Sequence, residues 1–201
     1  MNYPVWKRIE DILGSILGLI LLAPFVPIIA IAIKLENFRY PVFVKLPRIS
    51  EGRTILLYKF NNMVLGAEKM KESLIHLNER KDGPFFKIAK DPRVTRVGRV
   101  LRKFRIDEFP QLINVLKGEL ALVGPRPHEP EEVASYPEQF KNVPNFRAGA
   151  TGLSQVSGAS SLRFIKELEL DDKYIKNMSL AGDLKILLRS VLILFFDPTA
   201  V

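Results

Sequence analysis

The sequence predicts a compact, mainly helical α/β domain carrying an N-terminal re-entrant membrane helix-break-helix, with further amphipathic helices at the membrane interface. Three observations lead there. Ile12 to Ile33 is an uncharged apolar run of about 22 residues, long enough for a membrane helix. Two prolines, Pro24 and Pro27, stand near its middle. Beyond residue 40, short β-like runs alternate with amphipathic helical periodicities. The division expected is a membrane hairpin over residues 1–36 and one compact domain over residues 37–201.

The prolines decide the form of the first element. Each removes a backbone donor and crowds the preceding turn, so a helix through Ala23-Pro24-Phe25-Val26-Pro27 kinks or breaks. Lys7 and Arg8 precede the run, and Lys34 and Arg39 follow it. Positive charge marks the cytoplasmic flank, and here both flanks carry it. A helix that enters one leaflet and returns satisfies both observations, whereas a kinked transmembrane helix satisfies only the first. The run exceeds the apolar core of a signal peptide, and no small-residue cleavage site follows it.

The remaining elements follow in order. Val42-Phe43-Val44 and Thr54 to Tyr58 read as strands around a turn at Ser50-Glu51-Gly52. Residues 66–81, with Met70, Leu74 and Leu77 spaced among charges, read as an exposed amphipathic helix. Asp91-Pro92-Arg93 is a turn, and Val97 to Phe104 is basic and amphipathic. Asp107-Glu108-Phe109-Pro110 signals a helix start, and Gly118 its stop. Glu119 to Val123 is a short apolar run leading into a stiff Gly124-Pro125-Arg126-Pro127 loop. Phe164 to Tyr174 is a helix. Leu184 to Phe196 is a strongly apolar one, too short to span a bilayer. It is either a core helix or, given Lys185 and Arg189, one lying at the membrane surface.

Composition narrows the function classes. Of 201 residues 47% are hydrophobic and 26% charged, and the net charge is +8, which excludes a disordered chain and favours an anionic partner. No nucleic-acid-binding module is present, so no nucleic-acid partner is expected. The absence of cysteine excludes disulfides and thiol catalysis. With only His76 and His128, a histidine-rich metal site is not expected.

Asp107 and Glu108 are adjacent and so point about 100° apart on a helix, which suits two separate tasks better than one bidentate grip. One can attack phosphorus while the other holds a magnesium ion, which favours carboxylate plus substrate phosphate. A helix amino terminus would favour their ionised forms; plain helix capping is the alternative. Arg93, Arg96, Arg99, Arg102, Lys103 and Arg105 form either a solvated basic face or an attractor for a phosphorylated lipid or diphosphate. Between Pro125 and Pro127, Arg126 is presented to an anion at reduced entropic cost.

Together these segments closely resemble the monotopic phosphoglycosyl transferases, the bacterial sugar transferase family. The resemblance runs from Lys7-Arg8-Ile9-Glu10-Asp11-Ile12 through Tyr58-Lys59-Phe60-Asn61-Asn62-Met63 and Asp91-Pro92-Arg93-Val94-Thr95-Arg96-Val97-Gly98. It is densest from Asp107 to Gly118 and at Val123-Gly124-Pro125-Arg126-Pro127. Thr151-Gly152-Leu153-Ser154-Gln155-Val156-Ser157-Gly158 and the later Asp171, Tyr174 and Asp183 complete it.

The resemblance implies a Mg2+-dependent reaction in which Asp107 attacks the β-phosphate of a UDP-sugar and expels UMP. The sugar phosphate held on Asp107 then passes to polyprenyl (undecaprenyl) phosphate. It implies Glu108 as the metal ligand, with Lys59, Arg102, Pro125, Arg126 and Pro127 binding substrate. It further implies a monotopic protein of the bacterial inner (cytoplasmic) membrane, its catalytic domain on the cytoplasmic face in contact with membrane lipid. The step would open a glycan-assembly pathway, with a homo-oligomer and downstream glycosyltransferases as candidate partners. Because the chain begins almost at the hairpin, it resembles the minimal catalytic form. Three positions depart from the family pattern: Ala23 replaces a small hydroxyl residue, Asn61 a basic residue, and Ala148 stands where a proline is usual.

Overall fold

A computed structural model describes residues 3–158 and 161–196; the outermost positions of both expected segments, 1–2 and 197–201, lie outside the described residues. The fold is mainly helical with two small sheets. Helices α1 (Val5–Leu22) and α2 (Val26–Glu36) are followed by strands β1 (Phe43–Ser50) and β2 (Arg53–Phe60), then by α3 (Arg96–Lys103) and α4 (Gln111–Lys117). Strand β3 (Ala121–Val123), α5 (Pro130–Ala134) and β4 (Gly149–Thr151) come next, and α6 (Leu153–Val156), α7 (Phe164–Lys176) and α8 (Leu180–Phe196) close the chain.

The apolar run forms one long helical element, Val5–Glu36, interrupted by a single 3-10 turn at Ala23–Phe25. Its backbone stays in the right-handed region across the interruption: Ala23 has φ −46° and ψ −45°, Phe25 φ −87° and ψ −21°. The two prolines therefore tighten one turn rather than open an extended loop, and Ala23, Pro24 and Pro27 are exposed there. Ala23 still donates its N–H to Leu19 O.

Buried positions Lys7, Asp11, Ser15, Leu22, Ile29 and Ile33 recur at intervals of four and seven residues, so one face of the whole element lies on the domain. Ile9, Leu13, Ile16, Ile20, Ile28, Ile31 and Leu35 are exposed, and this face is apolar along its length. Gly14 and Gly18 allow the close approach. A Cβ at Gly14 would meet Leu122 at 2.4 Å and one at Gly18 would meet Leu112 at 2.6 Å.

Polar contacts fix the element as well. Lys7 makes a buried ion pair with Asp183 of α8, whose other oxygen accepts the Tyr174 hydroxyl at 2.9 Å. Asp11 accepts the Leu122 N–H of β3 at 2.6 Å. Arg8 donates to Val115 O and Leu116 O, both at 2.7 Å, which satisfies the last carbonyls of α4 with a cation.

The expected strands form an antiparallel hairpin, longer than their apolar runs suggest, pairing Phe43 with Phe60 through Ser50 with Arg53. Its two-residue turn is Glu51-Gly52, at φ +51° and +70°, the left-handed pair that matches strand twist. Arg147 holds Glu51 there at 2.8 Å. The second sheet pairs β3 and β4 in parallel.

The helix expected over residues 66–81 does not form; turns and a 3-10 segment, Glu72–Leu77, take its place. Ile75 is 68% and Leu77 42% exposed, so no buried stripe stabilises a longer α-helix. The last helix begins at Leu180 rather than Leu184: Ser179 caps it by accepting Gly182 N–H at 3.2 Å, and Asp183 in its first turn is held inward by Lys7 and Tyr174. Leu184, Leu188, Val191 and Leu192 on it are exposed.

Candidate active site

Three segments converge on one cavity. Strand β2 brings Lys59. Its register against α4 is set by Asn114, fully buried, which donates to Leu56 O at 2.8 Å and accepts Tyr58 N–H at 3.0 Å. Helix α3 brings Arg102. Its N-terminus is capped twice: Thr95 accepts Gly98 N–H at 2.9 Å, and Glu36 accepts Arg96 and Val97 N–H at 2.7 and 3.0 Å. The loop after β3 brings Arg126. It is pinned to β4 by Gly124 N–H to Thr151 O at 2.9 Å and Gly149 N–H to Pro125 O at 2.8 Å. A third bond, Arg126 N–H to Asp171 at 3.1 Å, fixes its tip. Glycines 124, 149 and 152 let these backbones touch; a Cβ on Gly149 would lie 2.1 Å from Gly124 N.

Asp107 and Glu108 sit in a 3-10 turn, Ile106–Glu108, ahead of α4, which starts only at Gln111. This corrects the expectation that a helix amino terminus sets their charge. The turn is forced by Arg105, a non-glycine residue at φ +53° and ψ 20°, a costly conformation of the kind held at functional sites. Lys59 Nζ lies 2.7 Å from Glu108 Oε1 and 3.6 Å from Asp107 Oδ2. The nearer hydrogen bond to Asp107 comes from Asn62 Nδ2, at 2.7 Å.

The two carboxyls diverge. Partial burial works against ionised Glu108, but Lys59, Arg126 and Arg105 outweigh it and hold the group far below the ordinary range, at about 2. For Asp107, 4% exposed, burial prevails and raises the pKa. Lys59 and Arg102 pull it back, and the neighbouring Glu108 charge pushes it further up. Environments that separate two adjacent acids assign them separate tasks.

The cavity has a volume of about 340 Å³. Lys59, Arg102, Asp107, Glu108, Arg126 and Pro127 all line it, whereas Pro125 of the same loop is buried away from it. Of the basic run only Arg93, Arg102 and Arg105 face it; Arg96, Arg99 and Lys103 are exposed on other faces of the α3 segment. Eight basic side chains and six carboxylates line the walls, a composition suited to a polyanion bearing a neutral polar group.

Sequence reasoning did not single out Asn62, His128 or Glu167. His128 is buried between the Tyr136 hydroxyl and Glu167, at 3.1 Å from the latter. Glu167 in turn lies 3.5 Å from Arg126 Nε. The signal available was His128 directly after Pro127, a polar residue that the rigid loop cannot swing clear of the core. Asn61, the departure from the family pattern, is buried, bonding Val42 O and Met63 N–H. Ala148 is a core residue, 3% exposed.

Among the described residues no group of three or more His, Asp or Glu side chains could by itself hold a metal. Glu108 fits magnesium nonetheless: its carboxylate is ionised and its side chain 36% exposed. Such an ion needs only one or two carboxylates, with phosphate and water completing its shell.

The sequence profile of the bacterial sugar transferases matches residues 2–197, nearly the whole chain. The chain belongs to the bacterial sugar transferase family. It is 35% identical over 99% of its length to the galactosyl transferase CpsE of Streptococcus agalactiae, covering 44% of that protein. It is 33% identical over 98% of its length to the UDP-glucose:undecaprenyl-phosphate glucose-1-phosphate transferase of Klebsiella pneumoniae, covering 41% of it. The exopolysaccharide production protein ExoY of Sinorhizobium fredii is 33% identical and is covered over 83% of its length. The chain thus spans less than half the length of the first two relatives and most of the third. In this bacterial sugar transferase the Asp-Glu pair and the Pro-Arg-Pro loop meet at one cavity.

Proposed function

We propose that this chain transfers a sugar 1-phosphate from a UDP-sugar to polyprenyl phosphate through a covalent intermediate on Asp107. The observation that carries this reading is one buried carboxylate, Asp107, held at the wall of a cation-lined cavity beside a second acid whose pKa is shifted in the opposite direction. The name of the Klebsiella relative, which specifies undecaprenyl phosphate as acceptor, supports it.

In the first displacement an Asp107 carboxylate oxygen bonds to the β-phosphorus, and the bond to the UMP oxygen breaks with its electron pair. In the second, a phosphate oxygen of the lipid attacks the same phosphorus and Asp107 leaves as carboxylate. No proton is required in either step. Lys59, Arg102 and Arg126 offset the charge of the phosphoryl group in transit. Splitting one transfer between two bulky anions into two displacements lets each use the same small site in turn. Glu108 would hold Mg2+, which when bound supplies further charge neutralisation on the diphosphate.

The helical element Val5–Glu36 serves as a monotopic, re-entrant anchor in the cytoplasmic membrane, with its exposed apolar face in lipid and the catalytic domain on the cytoplasmic side. Leu184, Leu188 and Leu192 of α8 are exposed, which supports a second apolar contact with the same lipid surface. The lipid phosphate then reaches the cavity without crossing the bilayer. The reaction is tested by incubating the protein with Mg2+ and a panel of UDP-sugars, without lipid, and measuring UMP. Release of one UMP per protein, lost in Asp107→Asn, is the expected result; release only after lipid is added would refute the covalent step.

A further inference from the structure

Asn62 occupies an unusual position. Its backbone carbonyl accepts Thr95 N–H at 3.1 Å. Helix α3 approaches so closely that a Cβ on Gly98 would lie 2.1 Å from the same oxygen. Its side chain is 9% exposed and bridges two cavity groups: Nδ2 donates to Asp107 Oδ2 at 2.7 Å, and Oδ1 faces Arg102 Nη2 at 3.4 Å. Only one orientation of the amide puts a donor toward the carboxylate and an acceptor toward the guanidinium.

We propose that Asn62 is the positioning residue for the nucleophile: its amide nitrogen holds Oδ2 of Asp107 and leaves Oδ1 as the oxygen that attacks phosphorus. This rests on the reading of Asp107 as nucleophile.

The chemistry favours an amide here. Lys59 is nearer to Glu108 than to Asp107, and both Lys59 and Arg102 are cations that a diphosphate would recruit. A neutral donor is not drawn toward the phosphate in the same way, so it keeps the carboxylate oriented when the cations turn to substrate. It also orients Asp107 without adding a full positive charge that would blunt its nucleophilicity. In the step itself the Oδ1–phosphorus bond forms, the bond to the UMP oxygen breaks with its electron pair, and Oδ2 stays on Asn62.

The test uses the full chain in nanodiscs with Mg2+ and UDP-glucose, UDP-galactose and UDP-N-acetylgalactosamine in turn. The single-turnover rate of adduct formation is read by intact mass, and UDP affinity is measured separately by titration calorimetry. Asn62→Leu removes the donor at similar size. Its rate is expected to fall about 100-fold, the cost of a misplaced reacting group, while UDP affinity stays within about threefold. A residue that merely supported the fold would move both together. Should Asn62→Leu also lose UDP affinity, Asn62→Ala, which cannot overpack the site, decides on the same two readouts. A rate within threefold of the unmodified protein in a variant that binds UDP normally overturns the inference, as does parallel loss of rate and affinity in both variants. Asp107→Asn is run beside them. If the unmodified protein forms an adduct that Asp107→Asn abolishes while Asn62→Leu reacts normally, only the role of Asn62 fails. An unmodified protein that forms no adduct with any donor overturns both.

Discussion

Replacing Gly98 by alanine probes the link between the helical framework and the reacting carboxylate. The new Cβ would lie 2.1 Å from Asn62 O, 2.7 Å from its C and 2.9 Å from its Cα, all backbone atoms, where ordinary contact begins at 3.4 Å. Relief requires α3 and the Asn62 segment to separate by roughly 1 Å, because a backbone cannot turn aside as a side chain can. The helix is not free to slide, since Thr95 and Glu36 hold its first turn. Overpacking of this kind costs about 1–3 kcal/mol, against which alanine returns up to about 1 kcal/mol of helix propensity. A net loss of about 1–2 kcal/mol corresponds to a melting temperature lowered by about 2–8 °C for a chain of this size. Displacing Asn62 by about 1 Å also misaligns Asp107, for which about 100-fold in rate is expected. Thermal unfolding in detergent and single-turnover UMP release read the two effects separately. A Gly98→Ala protein that melts with the unmodified one and reacts within threefold of it would refute the reasoning.

Three further outcomes follow from the geometry. Lys7→Met leaves Asp183 buried without its cation; removing one partner of a buried pair costs about 3–5 kcal/mol, so unfolding should move to much lower temperature, and Lys7→Met/Asp183→Leu should recover part of the loss. Asp91 is half-buried, which alone would raise its pKa, but four hydrogen bonds from the Arg93 side chain and backbone lower it below the ordinary range. A depressed folded-state pKa means its stabilisation is present at neutral pH and lost as pH falls through that value. The melting-temperature gap between the unmodified protein and Asp91→Asn should therefore hold from pH 7 to about pH 5 and close below about pH 4. Chelation by EDTA should abolish UMP release, and Glu108→Gln should require more Mg2+ for half-maximal rate; a rate indifferent to chelator would remove Glu108 from metal binding.

Local chemistry made much of the fold legible. Pro24 and Pro27 marked the interruption of the apolar helix because proline acts within one turn of itself. Ser50-Glu51-Gly52 marked the hairpin because a two-residue turn is a local matter, and the Asp-Glu pair and Pro-Arg-Pro loop stood out by composition. What was not legible depends on distant partners. The segment over residues 66–81 has helical spacing but no surface to bury it, which only the tertiary fold reveals. Asp183 in the first turn of α8 is buried through its pairing with Lys7, 176 residues away. The parallel pairing of β3 with β4 joins strands separated by α5 and its flanking loops. Asn62 looked like a neighbour of Lys59 in the chain, and only the approach of α3 through Gly98 turns it toward Asp107.

Locating the covalent adduct is the most direct measurement. The protein is incubated with Mg2+ and a reactive UDP-sugar without lipid, quenched in acid, digested and mapped by tandem mass spectrometry. The expected result is a gain of one sugar phosphate on the peptide bearing Asp107, localised to that residue and discharged when polyprenyl phosphate is added before the quench. Turnover with lipid but no modified Asp107 peptide, or an adduct on another side chain, would contradict the assignment of Asp107 as the nucleophile.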